Sequence, residues 1–216
     1  MKTTLLLVED HHLVRQGIHA LLKEPPEMEV VGEAADGRTA LQLAGECHPD
    51  VVIMDISIPK LNGIDATRHI KDLNPRIKVL ALSMDSDPLV VRRMLLAGAD
   101  GYLLKECMVD ELVAAIRALR EGKKYLSADI SGVVVDDYLD ALTGRRVMPE
   151  EKLTLREREV LQLLAEEHSV KEIAAMLNIS DRTVDSHKRK AMEKLGIYTL
   201  VGLIKYAIRN KLTTLD

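Results

Sequence analysis

The sequence predicts a doubly wound α/β domain followed by a smaller all-helical one. Three observations point there. Apolar runs and amphipathic stretches alternate five times over the first 122 residues, the pattern of a parallel sheet covered by helices. The run Val51-Val52-Ile53-Met54 contains no polar residue, as a strand buried on both faces requires, and it stops on a carboxylate, Asp55. Beyond residue 152 no strand-like run remains, and capped helical stretches succeed one another.

The elements come in order. Thr4–Val8 reads as the first strand, and Glu9-Asp10-His11-His12 as its loop. Leu13–Leu22 has apolar residues at helical spacing and is stopped by Pro25-Pro26. Glu29–Ala34 is an edge strand. Gly37–Gly45 is a helix capped by Asp36, and Val51–Asp55 is the central strand. Pro59 and Gly63 break the next loop before a helix at Ile64–Leu73. Lys78–Ser83 is the fourth strand. Asp87-Pro88 opens a helix to Ala97, as a cap followed by proline at the first helical position. Gly101–Lys105 is the fifth strand, and Val109–Glu121 a helix that Gly122 stops. Right-handed crossovers leave few topologies. The flavodoxin-like order 2-1-3-4-5 places the first and third strands together at the switch point, where ligands bind beyond the strand ends. Glu9-Asp10 and Asp55 are then neighbours, and Lys105 ends the fifth strand on the same edge. Each alone reads as an ordinary polar cap; together they read as a site.

From 123 to 152 the pattern weakens and is read as a linker. Ile130–Leu142 has the spacing of one amphipathic helix, against which Val133-Val134-Val135 counts, and Gly144 and Pro149 break the remainder of the linker. Thr154-Leu155-Arg156-Glu157 is a capping box opening a helix to about Glu166. Ser169 caps Val170–Leu177, Asn178-Ile179-Ser180 is a tight turn, Asp181–Leu195 ends at Gly196, and Leu200–Asn210 is last. This gives an all-α four-helix domain at 153–216 that contains a helix-turn-helix.

Composition sets limits. Length allows one large domain or two small ones, and a hydrophobic fraction of 47% is enough for a core. Aromatics are 2%, with no Phe and no Trp, so stacking sites for bases or sugars are few. The net charge of −4 does not announce nucleic-acid binding. Its distribution is informative: residues 1–152 sum to −6 and residues 153–216 to +2, which suggests two domains with different partners. Cys47 and Cys107 form no metal spacing and fit a reducing cytosol. Neither a signal peptide nor a membrane-spanning run is read, so a cytoplasmic protein without membrane contact is expected.

Glu9-Asp10, Asp55, Pro59, Gly63, Ser83, Tyr102 and Lys105, each at its place on a strand or loop, resemble the receiver domain of two-component response regulators, at 1–122. The run Leu153 to Leu161, with Lys171-Glu172-Ile173-Ala174, Ile179-Ser180, Thr183-Val184, His187 and Lys194-Leu195-Gly196, resembles the LuxR-type helix-turn-helix. The chain is identified as similar to the NarL/FixJ class of response regulators.

That resemblance implies a phosphoacceptor at Asp55, and Mg²⁺ held by Glu9, Asp10, Asp55 and the backbone carbonyl of Ser57. An aspartate is a weak nucleophile, and a hard cation drains charge from the phosphoryl group it attacks. It implies Lys105 on the phosphoryl oxygens, Ser83 bonding them after transfer, and Tyr102 rotating as the fourth-strand loop moves in. Lys105 also reads as a plain salt bridge to Asp55, and Tyr102 as a core residue with a satisfied hydroxyl. In the family, the positions of Ser57 and Asp85 shape the access of water to the acyl phosphate. His11 and His12 read as solvent-side. Two departures are the Glu-Asp pair where many receivers have Asp-Asp, and Glu106 where many have Pro.

A flavodoxin needs a Gly/Ser/Thr-rich phosphate loop where this chain has Glu9-Asp10. A haloacid-dehalogenase-type phosphatase needs a second acid where it has Ser57, so no enzyme is expected. In the second domain the helix after Ser180 is expected in the DNA major groove, with Lys171, Arg182, Lys188, Arg189 and Lys190 supplying charge. The resemblance puts base reading near Asp185, Ser186 and Arg189. The alternative is a protein-interaction bundle whose charges are a solvated face. Implied partners are a sensor histidine kinase, double-stranded DNA, RNA polymerase and a second copy in the active form. Leu200, Leu203 and Ile204 are candidates for its dimer face.

Overall fold

The computed structural model describes residues 2–142 and 152–213. The chain forms two compact units, Met1–Ile58 with Asn62–Met148, and Pro149–Asp216 with Pro59–Leu61. The first alternates β1 (Thr3–Val8), α1 (His12–Lys23), β2 (Met28–Ala34), α2 (Gly37–Cys47), β3 (Val51–Asp55), α3 (Gly63–Leu73), β4 (Lys78–Ser83), α4 (Pro88–Leu96), β5 (Gly101–Leu104), α5 (Met108–Arg120), β6 (Tyr125–Leu126) and α6 (Ala128–Leu142). All strand pairs are parallel, in the order β2-β1-β3-β4-β5-β6.

Alternation along the central strands divides their side chains between two buried faces. Leu5, Leu7, Val51, Ile53, Leu80, Leu82 and Leu103 pack with Ile18 and Leu22 of α1 and Leu112, Ala115, Ile116 and Leu119 of α5. Leu6, Val8, Val52, Met54, Val79 and Ala81, of opposite parity, are fully buried too, and α2 and α3 contact the sheet. Local chemistry starts the helices where expected. Asp36 accepts the Arg38 and Thr39 amides to cap α2. Asp87 caps α4 with Pro88 in its first turn.

The sheet has six strands, not the expected five. Tyr125 and Leu126 pair with Gly101 and Tyr102, and a two-residue strand is too short to leave a periodic signal. The stretch read as linker thus contributes β6 and α6 to the first unit. The valine run does not stop α6, because tertiary packing outweighs propensity: Ile130 is fully buried and Val133 and Val134 line a groove with Val91 and Leu95 of α4. Arg92 on α4 donates through Nε to Asp137 on α6 at 2.7 Å. Gly144 and Pro149 lie outside the described residues.

The second unit contains α7 (Leu155–Ala165), α8 (Val170–Leu177), α9 (Asp181–Leu195) and α10 (Leu200–Arg209). Capping boxes open α7 at Thr154/Glu157 and α8 at Ser169/Glu172. Asn178 and Gly196, both left-handed, end α8 and α9. Val160, Leu163, Ile173, Leu177 and Val184 form one apolar cluster; Leu161, Ala191, Leu203, Ala207 and Leu212 belong to another. No helix among the described residues is long and apolar enough to cross a membrane.

At the amino end of the sheet, Asp100 joins four elements. It accepts the Val79 amide at 3.1 Å, Lys71 Nζ at 2.5 Å and Lys124 Nζ at 3.0 Å, with Lys78 Nζ at 3.5 Å. Burial works against its charge, but the bonds from Lys71, Lys124 and the Val79 amide outweigh it and hold the carboxyl below its ordinary value. Asp100→Asn leaves the Lys71 ammonium, largely buried, without its counter-charge. Urea unfolding at neutral pH is expected to show a loss of about 3 kcal/mol. A carboxyl depressed in the folded state stabilises above its unfolded pKa and loses that contribution as pH falls through the folded value. The gap between wild type and variant should therefore close below about pH 4. A variant as stable as wild type at pH 7 would remove Asp100 from the account.

Candidate functional site

Register brings the chemistry together at the carboxyl edge. Val8 pairs with Met54, so Glu9 and Asp55 leave adjacent strands side by side. Asp55 pairs with Leu82 and Ser83 with Leu104, which carries Ser83 and Lys105 to the same edge. Lys105 Nζ donates to Asp55 Oδ2 at 2.9 Å and to Glu9 Oε2 at 2.7 Å. Glu9 and Asp55 are buried, and the Lys105 side chain is 13% exposed. Ser57 is exposed, and its amide donates to Asp55 Oδ1 at 3.3 Å.

Among the described residues, Glu9, Asp10, His11 and Asp55 present ligand atoms within 4.8 Å of one another. Asp10 Oδ1 is buried without a hydrogen bond, although His11 Nδ1 lies 2.9 Å away. Burial, then the charge of Asp55, push the Glu9 carboxyl above its ordinary value, against the opposing pull of Lys105 and the His11 amide. Burial disfavours the Lys105 ammonium, but the charges and bonds of Asp55 and Glu9 outweigh it and raise its pKa. Three clustered carboxylates, one with a buried oxygen that His11 alone approaches among the described contacts, fit a hard divalent cation that accepts oxygen ligands.

His11 lies on the solvent side, as expected, but does more than face water. Its ring is exposed, yet Nδ1 sits 3.2 Å from Glu9 Oε1 as well as beside Asp10, and the Asp10 charge, then the Glu9 bond, raise its pKa. The cause is local: His11 is the extended residue before α1, which turns its ring back over the strand end. His12 stays at the surface, against Gln16.

Ser83, Asp85 and Tyr102 form one linked group. Ser83 Oγ accepts the Asp85 amide at 2.9 Å, Tyr102 donates its hydroxyl to the Asp85 carbonyl at 2.7 Å, and Asp85 Oδ1 accepts the Asp87 amide at 2.9 Å. Tyr102 is fully buried, which first of all raises its pKa. This is the reading of Tyr102 as a core residue with a satisfied hydroxyl, and the hydroxyl is bonded to the loop that continues from Ser83.

Gly63 does more than break a loop. It opens α3, its amide donates to the Ile56 carbonyl at 3.0 Å, and a Cβ there would stand 2.2 Å from the Asp55 carbonyl oxygen and 2.8 Å from Ile56 Cα. The close approach of α3 to the end of β3 admits no side chain.

In the second unit, Val184 and Ala191 bury one side of α9. Arg182, Ser186 and Arg189 fall on the opposite side by helical phase, with Asp185 and Lys190 flanking it. Lys188 comes four residues after Val184 and is half-buried on the inward flank. Lys171 is exposed in the first turn of α8. Lys194 Nζ reaches Glu157 Oε2 at 2.7 Å, tying the end of α9 to the cap of α7. The expected dimer face needs one correction. Leu203 is fully buried in the unit's own core, on the inward side of α10 with Ala207 one turn on. Leu200 and Val201 are exposed and Ile204 half-buried.

Residues 5–117 match the response regulator receiver domain family, and residues 151–207 match the bacterial regulatory proteins of the luxR family. The transcriptional regulatory protein MctR of Rhizobium johnstonii is 39% identical over 208 residues, covering 96% of this chain and 94% of that protein. LiaR of Bacillus subtilis is 39% identical over 209 residues, with 96% and 97% covered. Among solved structures, RcsB from Salmonella enterica serovar Typhimurium, bound to a promoter in the presence of the phosphomimetic BeF3−, is 30% identical, covers 99% of this chain and 100% of that one, and superposes with a TM-score of 0.62. With both family matches in one chain and relatives aligned over nearly its whole length, the protein belongs to the two-component response regulators that join a receiver to a LuxR-type helix-turn-helix and regulate transcription.

Proposed function

We propose that this is a phosphorylation-controlled DNA-binding regulator, in which a sensor histidine kinase donates a phosphoryl group to Asp55. The observation that carries the reading is the convergence of Glu9, Asp10 and Asp55 with Lys105 at one sheet edge. Glu9, Asp10, Asp55 and the Ser57 carbonyl hold Mg²⁺, which when bound neutralises phosphoryl charge during transfer. An Asp55 carboxylate oxygen attacks phosphorus, the phosphorus–nitrogen bond to the donor histidine breaks, and the imidazole leaves with its electron pair and takes up a proton. Lys105 follows the charge from the carboxylate to the phosphoryl oxygens. Ser83 exchanges the Asp85 amide for a phosphoryl oxygen, and the linked Asp85 and Tyr102 move with it. Asp55 is not turned over as in an enzyme that acts on outside substrates; the acyl phosphate is the signal.

The proposed organisation is a receiver at 1–122, extended by β6 and α6 from the stretch 123–152 that connects it onward, and a DNA-binding domain at 153–216. Phosphorylation promotes pairing with a second copy and binding to duplex DNA, to which α9 presents Arg182, Asp185, Ser186 and Arg189, with Lys171, Lys188 and Lys190 toward phosphates. Leu200 and Ile204, with Val201 in place of buried Leu203, form the proposed pairing face of α10. RNA polymerase is the proposed downstream partner, and the cytoplasm the proposed location.

Incubation with Mg²⁺ and a labelled small phosphodonor is expected to give one acid- and base-labile phosphoryl group per chain. Asp55→Asn keeps the shape and removes the nucleophile, so it should not label; equal labelling would reassign the acceptor. Gly63→Ala drives a Cβ into the Asp55 carbonyl. It should cost about 1–3 kcal/mol of stability and slow labelling in chain that remains folded; unaltered stability and labelling would show that β3 yields freely. On DNA, Arg189→Ala should cost about 1–3 kcal/mol on the cognate duplex and far less on a scrambled one. Lys190→Ala should weaken both alike and lower the salt slope by about one. Equal cognate-to-scrambled ratios for the two variants would make Arg189 a phosphate contact only.

A further inference from the structure

The stretch after the acidic pair, His11-His12-Leu13-Val14-Arg15, ends on a cation that stands behind the cluster rather than in it. Arg15 lies in the first turn of α1, and its side chain is only 16% exposed. Nη1 donates to the Glu9 carbonyl at 2.6 Å and reaches the Asp10 carbonyl at 3.4 Å. Nε faces Glu33 Oε2 at 3.3 Å, and the other oxygen of Glu33 meets His19 Nδ1. The guanidinium is therefore gripped from two sides. Glu33 on β2 and the body of α1 fix its plane, and its other edge holds the two peptide groups that carry the acids.

We propose that Arg15 is a positioning residue for the divalent cation site, acting through the backbone of Glu9 and Asp10. This rests on the assignment of Glu9, Asp10 and Asp55 as cation ligands. The strand ladder supports Glu9 only on its amide side, where the N–H bonds to the Ala34 carbonyl at 3.0 Å. Beyond β1 the carbonyls of Glu9 and Asp10 have left the sheet. Their orientation sets ψ at both residues, and so the direction in which each carboxylate leaves the loop. A charge-assisted bond at 2.6 Å from a planar, pre-oriented fork is a strong constraint on that rotation. Positioning counts most for Asp10, whose buried Oδ1 is approached at 2.9 Å only by the exposed ring of His11 among the described contacts. It also bears on Glu9, whose longer side chain must fold back to reach Lys105 at 2.7 Å.

Charge and positioning predict opposite signs. As a bare positive charge beside the carboxylates, Arg15 repels a cation, and its removal tightens binding. As a brace, its removal weakens binding, because the ligands must be ordered when the cation arrives. Groups that orient metal ligands without touching the metal typically contribute about 10–100-fold to affinity.

The test is calorimetric titration of the full-length chain with MgCl₂, without phosphodonor, for wild type, Arg15→Gln, Arg15→Lys and Asp10→Asn. Arg15→Gln is expected to raise the Mg²⁺ Kd about tenfold or more. Arg15→Lys keeps the charge and loses the fork, and should recover only part of that loss. Thermal unfolding without Mg²⁺ identifies any variant that fails to fold. If Arg15→Gln does, the charge-conserving Arg15→Lys decides alone: a several-fold weaker Kd supports the brace, and a wild-type Kd overturns it. Unchanged or tighter binding by Arg15→Gln also overturns it. If wild type binds no Mg²⁺, or Asp10→Asn binds as well as wild type, the cation site itself is wrong and the role of Arg15 falls with it. Wild-type binding that Asp10→Asn abolishes and Arg15→Gln spares sinks the brace alone.

Discussion

Like charges forced together by strand register are the constraint on which the first unit depends. Parallel pairing of β1, β3, β4 and β5 brings Glu9 beside Asp55 and sets Lys105 across from both. At separations within 4.8 Å and an effective dielectric near 20, each pair of carboxylates repels by at least about 3 kcal/mol. The backbone cannot relieve this by moving apart, because the acids end strands whose preceding residues are fixed in the core, and Lys105 and His11 offset only part of it. The sheet supplies the energy to hold them, through Leu5, Leu7, Ile53, Leu80, Leu82 and Leu103 and the helices packed on them. A site built this way is poised for cations: the Lys105 ammonium in this structure, and a divalent ion in the proposed function.

The second unit meets a different requirement, the rotational phase of a single helix. Val184 and Ala191 anchor α9 inward, the αL residues Asn178 and Gly196 bound it, and Lys194 ties its last turn to the Glu157 carboxylate that caps α7. Glu157 Oε2 accepts both the Thr154 amide and Lys194, so one oxygen joins the start of α7 to the end of α9. Burial raises its pKa and these bonds lower it further than burial lifts it. The outward stripe of Arg182, Ser186 and Arg189 is then a consequence of geometry. Lys188 does not share it, which makes a basic residue count a poor guide to a binding face.

Features that repeat or cap are legible in the sequence. Val51–Asp55, Lys78–Ser83 and Val170–Leu177 fall on the expected residues, because buried runs and Ser, Thr or Asp caps mark their own ends. The strand ends that form the cluster of Glu9, Asp10, Asp55, Ser83 and Lys105 are readable for the same reason, since parallel order plus strand length fixes their edge. Two-residue β6 carries no period, and α6 forms against a β-branched run because Ile130, Val133 and Val134 find partners in the fold. The approach of the exposed His11 ring to Glu9 and Asp10 and the grip of Arg15 on two carbonyls depend on backbone directions just past a strand, which neither composition nor spacing encodes. The inward side of α10 is legible in its spacing, since Leu203 and Ala207 lie opposite Lys205 and Arg209, and that phase assigns Leu203 to the core and not to a dimer face.

Asp85 shows how little energy a switch on this fold needs. Its amide is held by Ser83, its carbonyl by Tyr102 and its carboxylate by the Asp87 amide that begins the cap of α4. Each neutral bond is worth about 1 kcal/mol net, while a hydroxyl bond to a charged phosphoryl group is worth about 1.5–3. Recruiting Ser83 to a phosphoryl group would therefore more than offset its lost bond to the Asp85 amide. The surplus, about 0.5–2 kcal/mol, would shift a two-state equilibrium by roughly two- to thirtyfold. That is enough to bias an arrangement of the loop and too little to remake the core, which agrees with a Tyr102 ring that is fully buried and a hydroxyl that is bonded at the loop. Because α4 begins at Asp87 and Pro88 and packs on α6 through Val91, Arg92 and Leu95, α4 and α6 are the elements that a displacement of Asp85 under the proposed function would reach first.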